Sequence, residues 1–294
     1  MIRISTSRLR QVFKNELRYF DKKVSEFDYL MFNYECDSSP ICTCGEYRID
    51  NNSSSEEIAA IIKYLEEIDV QNIDINTIYC DKPFTTNGKF AVNSILLELF
   101  LRKEYAQLDL SKVKSYSLIS DFSEINEDEK LYKIKFQDKA DFYNNIENYG
   151  ADGARFIIDF NRQLRVEDAR KVLGKLSLNH IKYIEEPCQS FEQSLSLKNE
   201  YDFALAIDES IYSNGVTEGI DYVILKPAVF SDFAKNKEII DWAKRNNKPI
   251  IISSAYQTAF GLDLLKKYVL YYELESELMG LDTAKLIKSE NILQ

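Results

Sequence analysis

Residues 181–187 read Ile181-Lys182-Tyr183-Ile184-Glu185-Glu186-Pro187: a short apolar run, then two acids and a proline. A brief apolar run that stops at polar residues reads as a strand buried on both faces, as in a parallel sheet covered by helices. Six more such runs accompany it, at 115–120, 131–136, 156–160, 203–207, 222–225 and 250–252. Amphipathic stretches lie between several of them. In 166–178 and 233–246 the apolar residues recur at intervals of three and four, which predicts helices. Seven strands in series, separated by polar breaks and helices, predict an α/β fold and fit a β/α barrel better than an open sheet. A doubly wound sheet stays open on pattern alone. No Gly-x-Gly-x-x-Gly follows any strand, and the chain has nine glycines in all, so a dinucleotide-binding fold is disfavoured.

The texture changes near residue 110. Before it, 27–36 reads as a strand rich in aromatics and 41–49 as its hairpin partner. Ser53-Ser54-Ser55-Glu56-Glu57 starts a helix through 58–68, with serine caps and early acids. A second helix covers 90–103. We therefore expect an α+β domain at 1–108 and the barrel at 109–294, with the C-terminal tail able to pack back on the first domain. Asp37-Ser38-Ser39-Pro40 reads as a turn.

With 48 acids against 37 bases, the 294-residue chain carries a net charge of −11, which argues against general phosphate-backbone binding to nucleic acid. Its apolar runs are too short to span a bilayer, and its start lacks the apolar core of a signal peptide, so a cytoplasmic protein with no membrane partner is expected. The single histidine, His180, removes mechanisms built on several histidine ligands. Five cysteines, an odd number, make a poor disulfide framework or zinc site and are expected to be reduced. Acid-base chemistry must come from Lys, Asp, Glu or Tyr.

The strand ends supply those groups. Successive apolar runs finish in Lys133-Ile134-Lys135, Asp159-Phe160-Asn161, Glu185-Glu186-Pro187, Asp208-Glu209-Ser210 and Lys226-Pro227, and the run at 250–252 finishes in Ser253-Ser254. In a β/α barrel the carboxyl ends of the strands form the active-site rim. Lys135 and Lys226 would then approach from opposite sides, with Asp159, Glu185 and Asp208 between them. Three gathered carboxylates repel unless a cation sits among them, and an all-oxygen set selects a hard ion, Mg²⁺ foremost. A divalent ion flanked by two lysines fits removal of a proton next to a substrate carboxylate. Lys133, on the same strand face as Lys135, is expected to lower the base's pKa by repulsion.

The ordered set Lys-x-Lys, Asp-x-Asn, Ile-Glu-Glu-Pro, Asp-Glu-Ser and Lys-Pro resembles the muconate-lactonising subgroup of the enolase superfamily. Within it, the o-succinylbenzoate synthase family is most similar, on Ile184 to Cys188, Ile224 to Ala228, Ser253-Ser254 with Phe260-Gly261-Leu262, and Gly280-Leu281-Asp282-Thr283. The resemblance covers about residues 85 to 285. It implies a (β/α)7β barrel under an N-terminal α+β capping domain. It implies Mg²⁺ on Asp159, Glu185 and Asp208, with a small carboxylate as substrate. Lys135 would take the α-proton of 2-succinyl-6-hydroxy-2,4-cyclohexadiene-1-carboxylate, with Lys226 on the opposite face. Lys133 and Asn161 would contact the carboxylate or support the metal, and Ser253 and Ser254 would receive the succinyl tail. The rival activity on such a site is N-succinylamino acid racemisation, and a non-catalytic binding barrel is a third reading. The family's cap turn survives here only as Gly45-Glu46, and Gln257 stands where a glutamate is common. The segment 8–26 is expected to hold a mobile cap loop.

Overall fold

The computed structural model describes residues 2–19, 22–36, 41–69, 72–73, 79–104, 108–126 and 128–293. Strands Ile2–Tyr19 (β1), Lys22–Cys36 (β2) and Ile41–Arg48 (β3) form an antiparallel sheet. Helices Ser55–Glu66 (α1) and Thr86–Glu104 (α2) follow. Ser54 caps α1 by accepting from the Glu57 amide at 3.1 Å, as the serine run predicts.

A parallel sheet comes next, with strands Ser117–Ile119 (β4), Leu131–Lys135 (β5), Arg155–Asp159 (β6), Ile181–Glu185 (β7), Leu205–Ile207 (β8), Tyr222–Leu225 (β9) and Ile250–Ile252 (β10). Each strand lies beside its neighbour in the chain. Helices Ala140–Ala151 (α3), Val166–Leu173 (α4), Phe191–Tyr201 (α5), Ser210–Asn214 (α6), Phe233–Arg245 (α7) and Ala259–Tyr271 (α8) alternate with the strands from β5 onward. Between β4 and β5 the described residues hold no helix beyond a single turn at Phe122–Glu124.

The sheet curls until its two edges share one partner. Met279 donates to the Lys114 carbonyl at 2.8 Å and accepts from the Tyr116 amide at 3.1 Å, while Gly280 donates to Ile252 at 2.9 Å and accepts from Ser254 at 3.0 Å. Two residues thus occupy the eighth place, where the barrel expectation calls for a strand. The chain then returns to the first sheet: Ile287–Leu293 (β11) pairs antiparallel with β1, giving the order β11-β1-β2-β3.

Three expectations need correcting. Residues 8–26 are largely the paired arms of the β1–β2 hairpin, with an irregularity between Val12 and Leu17, where a mobile loop was expected. The helix expected over 166–178 stops at Leu173, and Leu178–His180 is a separate single turn. Both β1 and β11 add strands that the apolar runs did not reveal. The turn expected at 37–40 lies outside the described residues. All five cysteines are free thiols. No helix among the described residues is long and apolar enough to cross a membrane.

Gly45 packs the cap sheet on its own helix α2, and Glu46 docks the cap on the barrel. A Cβ on Gly45 would stand 2.2 Å from the Ala91 carbonyl oxygen of α2, so only glycine permits this approach. Glu46 is buried. One of its carboxylate oxygens accepts from the Thr258 amide at 3.1 Å and from the Thr258 hydroxyl at the start of α8. Gly261, one turn along, leaves room for that carboxylate. One apolar cluster runs through this junction, from Phe32 and Tyr47 to Ile224, Ile251 and Tyr268. A second, including Ile134, Phe156 and Ile184, fills the other side of the curled sheet.

Candidate active site

Register fixes the relative height of the strand-end groups. Lys135 stands opposite Asp159, and Asp159 opposite Glu185. These three therefore lie at one level on neighbouring strands. Lys133, two residues earlier, points to the same face one layer deeper. Glu185 pairs with Ala206, and Asp208 follows two residues on. Lys226 directly follows β9. The sequence thus delivers all six groups to the carboxyl edge of five adjacent strands.

The ammonium groups are placed between the carboxylates. Lys133 Nζ lies 2.5 Å from Glu185 Oε2 and 3.1 Å from Asp159 Oδ2. Lys226 Nζ bonds Asp208 Oδ2 and, at 2.8 Å, Glu209 Oε1. Burial works against the charge on Lys133, but Asp159 and Glu185 outweigh it and hold its pKa well above the usual lysine range. Lys226 is raised in the same way, by Asp208 and Glu209 against burial. Burial pushes Glu185 and Asp208 upward despite their ammonium partners. Asp159 goes down, because Lys133, Lys226 and Lys135 together overcome its burial.

This placement changes the role of Lys133. It was expected to repel Lys135, but its charge is balanced by two carboxylates. It holds the metal-ligand candidates in place.

The loops after the strands are strained. Asn161, Arg162 and Glu186 have φ of 47°, 56° and 39°, a region costly for residues with a Cβ. The turn brings the Asn161 amide to Asp159 Oδ1 at 3.0 Å. Glu186 is buried. Its Oε1 accepts from the amides of Asp208 and Ser210 at 3.2 and 2.9 Å and from the Ser210 hydroxyl, and its Oε2 faces Arg162 Nε at 3.3 Å. Glu186 therefore ties the turn carrying Asp208 to the one carrying Asn161. Sequence reasoning gave no role to Glu186, Arg162 or Glu209. The doubled acids in Glu185-Glu186 and Asp208-Glu209 were the available signal.

A cavity of about 470 Å³ opens over these groups. Lys133, Lys135, Asp159, Asn161, Lys226, Ser253 and Ser254 all border it, while Glu185 and Asp208 lie beneath, buried. The structure thus gathers all nine residues singled out from the sequence. Ser254 is engaged with Thr283 at 2.7 Å between hydroxyl oxygens. Tyr256, which sequence reasoning did not select, also borders the cavity; its φ is 65° and its ring meets Phe13 and Phe27 of the cap hairpin.

Among the described residues no three acidic, histidine or cysteine side chains close around one point as they stand. Lys133 and Lys226 hold the carboxylates in pairs. The donor chemistry still fits a hard divalent cation. All three candidates offer oxygen, and Glu185 Oε1 and Asp208 Oδ1 are buried without a hydrogen-bond partner.

A parallel sheet curled upon itself, with acids and lysines on its carboxyl edge and an antiparallel sheet beside it, is a fold that solved structures share. An o-succinylbenzoate synthase from Thermosynechococcus elongatus, with magnesium in its active site, superposes with a TM-score of 0.67 at 15% identity over 99% of this chain and 96% of that one. A dipeptide epimerase from Cytophaga hutchinsonii, complexed with magnesium and a dipeptide, gives 0.74 at 16% identity over 98% and 89%. In sequence, the chain is similar to the o-succinylbenzoate synthase of Photorhabdus laumondii, at 32% identity over 140 residues. That match covers 45% of this chain and 43% of the relative, so it spans less than half the relative's length. No family model matches the chain. The resemblance read from the strand-end motifs, to o-succinylbenzoate synthases within the enolase superfamily, is borne out by these relatives.

Proposed function

We propose that this chain is an o-succinylbenzoate synthase of menaquinone biosynthesis, a lyase acting on 2-succinyl-6-hydroxy-2,4-cyclohexadiene-1-carboxylate within a (β/α)7β barrel. The observation that carries the reading is the arrangement of Lys135, Asp159, Glu185, Asp208 and Lys226 around one cavity. Asp159, Glu185 and Asp208 would hold Mg²⁺, which supplies stabilisation of the negative charge that grows on the substrate carboxylate. Lys135 takes the proton from the carbon bearing that carboxylate. The C–H electron pair becomes the new ring double bond as the C–O bond to the neighbouring hydroxyl breaks. Hydroxide leaves on the same face and takes up the abstracted proton, so water and an aromatic ring result. Lys226, fixed by Asp208 and Glu209, holds a positive charge on the opposite face. Ser253 and Ser254 face the succinyl tail.

The test is an ultraviolet assay of purified protein with the cyclohexadiene substrate, in Mg²⁺ and in chelator, with Lys135→Ala alongside. Mg²⁺-dependent aromatisation that vanishes in the variant supports the reading, and absence of turnover overturns it. The presence of both Lys135 and Lys226 at the cavity, together with the epimerase likeness, favours racemisation of N-succinylamino acids as the second reading. Loss of α-deuterium from such substrates into water would establish it.

A further inference from the structure

One polar group in the cavity has no role in the chemistry above. Tyr116, directly before β4, is 3% exposed and borders the cavity. Its hydroxyl is buried, and the one polar group set against it is the buried hydroxyl of Tyr183. Pairing of the two phenols uses one of their two protons and leaves the other without an acceptor. Burial raises the Tyr116 pKa, so the phenol stays protonated and keeps a proton to donate. A buried donor with nothing to receive it costs stability unless a ligand supplies the acceptor.

The surroundings bring a second hydroxyl close to that donor. Tyr116 Oη stands 2.5 Å, and Ser253 Oγ 2.8 Å, from the point a Cβ on Gly280 would occupy. The two hydroxyls therefore converge over a bare backbone. The bond from the Tyr116 amide to Met279 fixes the residue there. This is the seam where β4 and β10 share the dipeptide 279–280, across the sheet from β6 to β8 and their carboxylates. A ligand held at those carboxylates and filling the cavity would present its far end to the seam.

We propose that the Tyr116 hydroxyl, cradled over Gly280 beside Ser253, is a substrate-positioning donor for an oxygen of the tail of the bound acid. The assignment rests on the synthase reading, and it adds a tail-specific residue on β4 to the serines after β10.

The test uses Tyr116→Phe, which removes the oxygen alone. Wild type and variant are titrated calorimetrically, in Mg²⁺, with o-succinylbenzoate and with benzoate, which lacks the tail. We expect Tyr116→Phe to weaken o-succinylbenzoate by about tenfold and to leave benzoate unchanged. The KM should rise to match, with kcat within about threefold, because the tail contact acts equally on ground and transition states. The melting temperature should not fall. Gly280→Ala, which pushes a methyl between the two hydroxyls, should reproduce the tail-specific loss. Binding of o-succinylbenzoate within twofold of wild type overturns the proposal, as does equal weakening of both ligands. A wild type that binds no o-succinylbenzoate overturns the synthase reading itself, and this inference with it.

Discussion

Strands β5 to β9 are three to five residues long, buried on most of their length, and each is finished or followed by a charged side chain. Strands β1 and β2 run 18 and 15 residues and spread their charges along their length. In the curled sheet, position along the strand decides chemistry: one register level carries Lys135, Asp159 and Glu185. In the cap sheet no such level exists. Its tie to the barrel is a clamp of Glu46 and Thr258, set beside the tight packing of Gly45 on α2. The ionisable groups of the cavity are thus concentrated at one edge, while the cap sheet packs beside it.

That contrast can be broken at the edge first. Lys135→Ala should lower the dehydration rate by about 10²- to 10⁴-fold, the usual worth of a positioned base, with the circular dichroism spectrum unchanged. If activity survives, the strand-end level does not carry the chemistry. Lys133→Ala tests the same edge through stability. It strands Glu185 and Asp159 without their shared ammonium, and should cost about 3–5 kcal/mol in urea unfolding in the presence of chelator. Added Mg²⁺ should recover part of that loss if the three carboxylates take the ion.

The clamp gives a pH signature. Burial raises Glu46 from 4.5 to about 7 against the Thr258 hydrogen bonds. Between those values the folded state holds a proton that the unfolded chain has released, so this group's contribution to stability falls as pH rises from 4.5 through 7. Glu46→Gln should therefore gain on wild type between pH 5 and pH 8, by up to about 3 kcal/mol, in urea titrations at the two pH values. An unchanged difference would show that Glu46 is not desolvated at the junction. Gly45→Ala should cost about 1–3 kcal/mol by forcing a methyl into the α2 backbone, with kcat per folded molecule preserved. Arg170→Ala, which breaks an exposed pair with Glu200 at 2.9 Å, should move neither activity nor the unfolding midpoint.

The curled sheet was legible because a strand buried on both faces must be apolar, and a charge at its end stands out against that background. Six of the nine site residues were found from such ends, Asn161 lies two residues after Asp159, and Ser253 and Ser254 end the run at 250–252. The cap hairpin was less legible. Its first strand mixes Arg3, Ser5, Ser7, Arg8 and Arg10 among apolar residues, and its pairing comes from β2 and β11 more than from propensity. Strand β11, Ile-Lys-Ser-Glu-Asn-Ile-Leu, has too little alternation to be read alone. The closing dipeptide is too short for any periodicity. The balance of charge on Lys133 depends on where two carboxylates point from neighbouring strands, which no single stretch of sequence contains.

The return of β11 to β1 also has a bearing on how the chain is made. Strand β1 receives one of its two partners only after about 280 further residues have been made. The seam at Met279 and Gly280 closes almost as late. Until then the nascent curled sheet has two open edges, and β1 has a row of unpaired amides and carbonyls. Such long-range pairing slows assembly and leaves the growing chain exposed to self-association. Completion of the cap sheet therefore waits on segments about 280 residues apart finding one another.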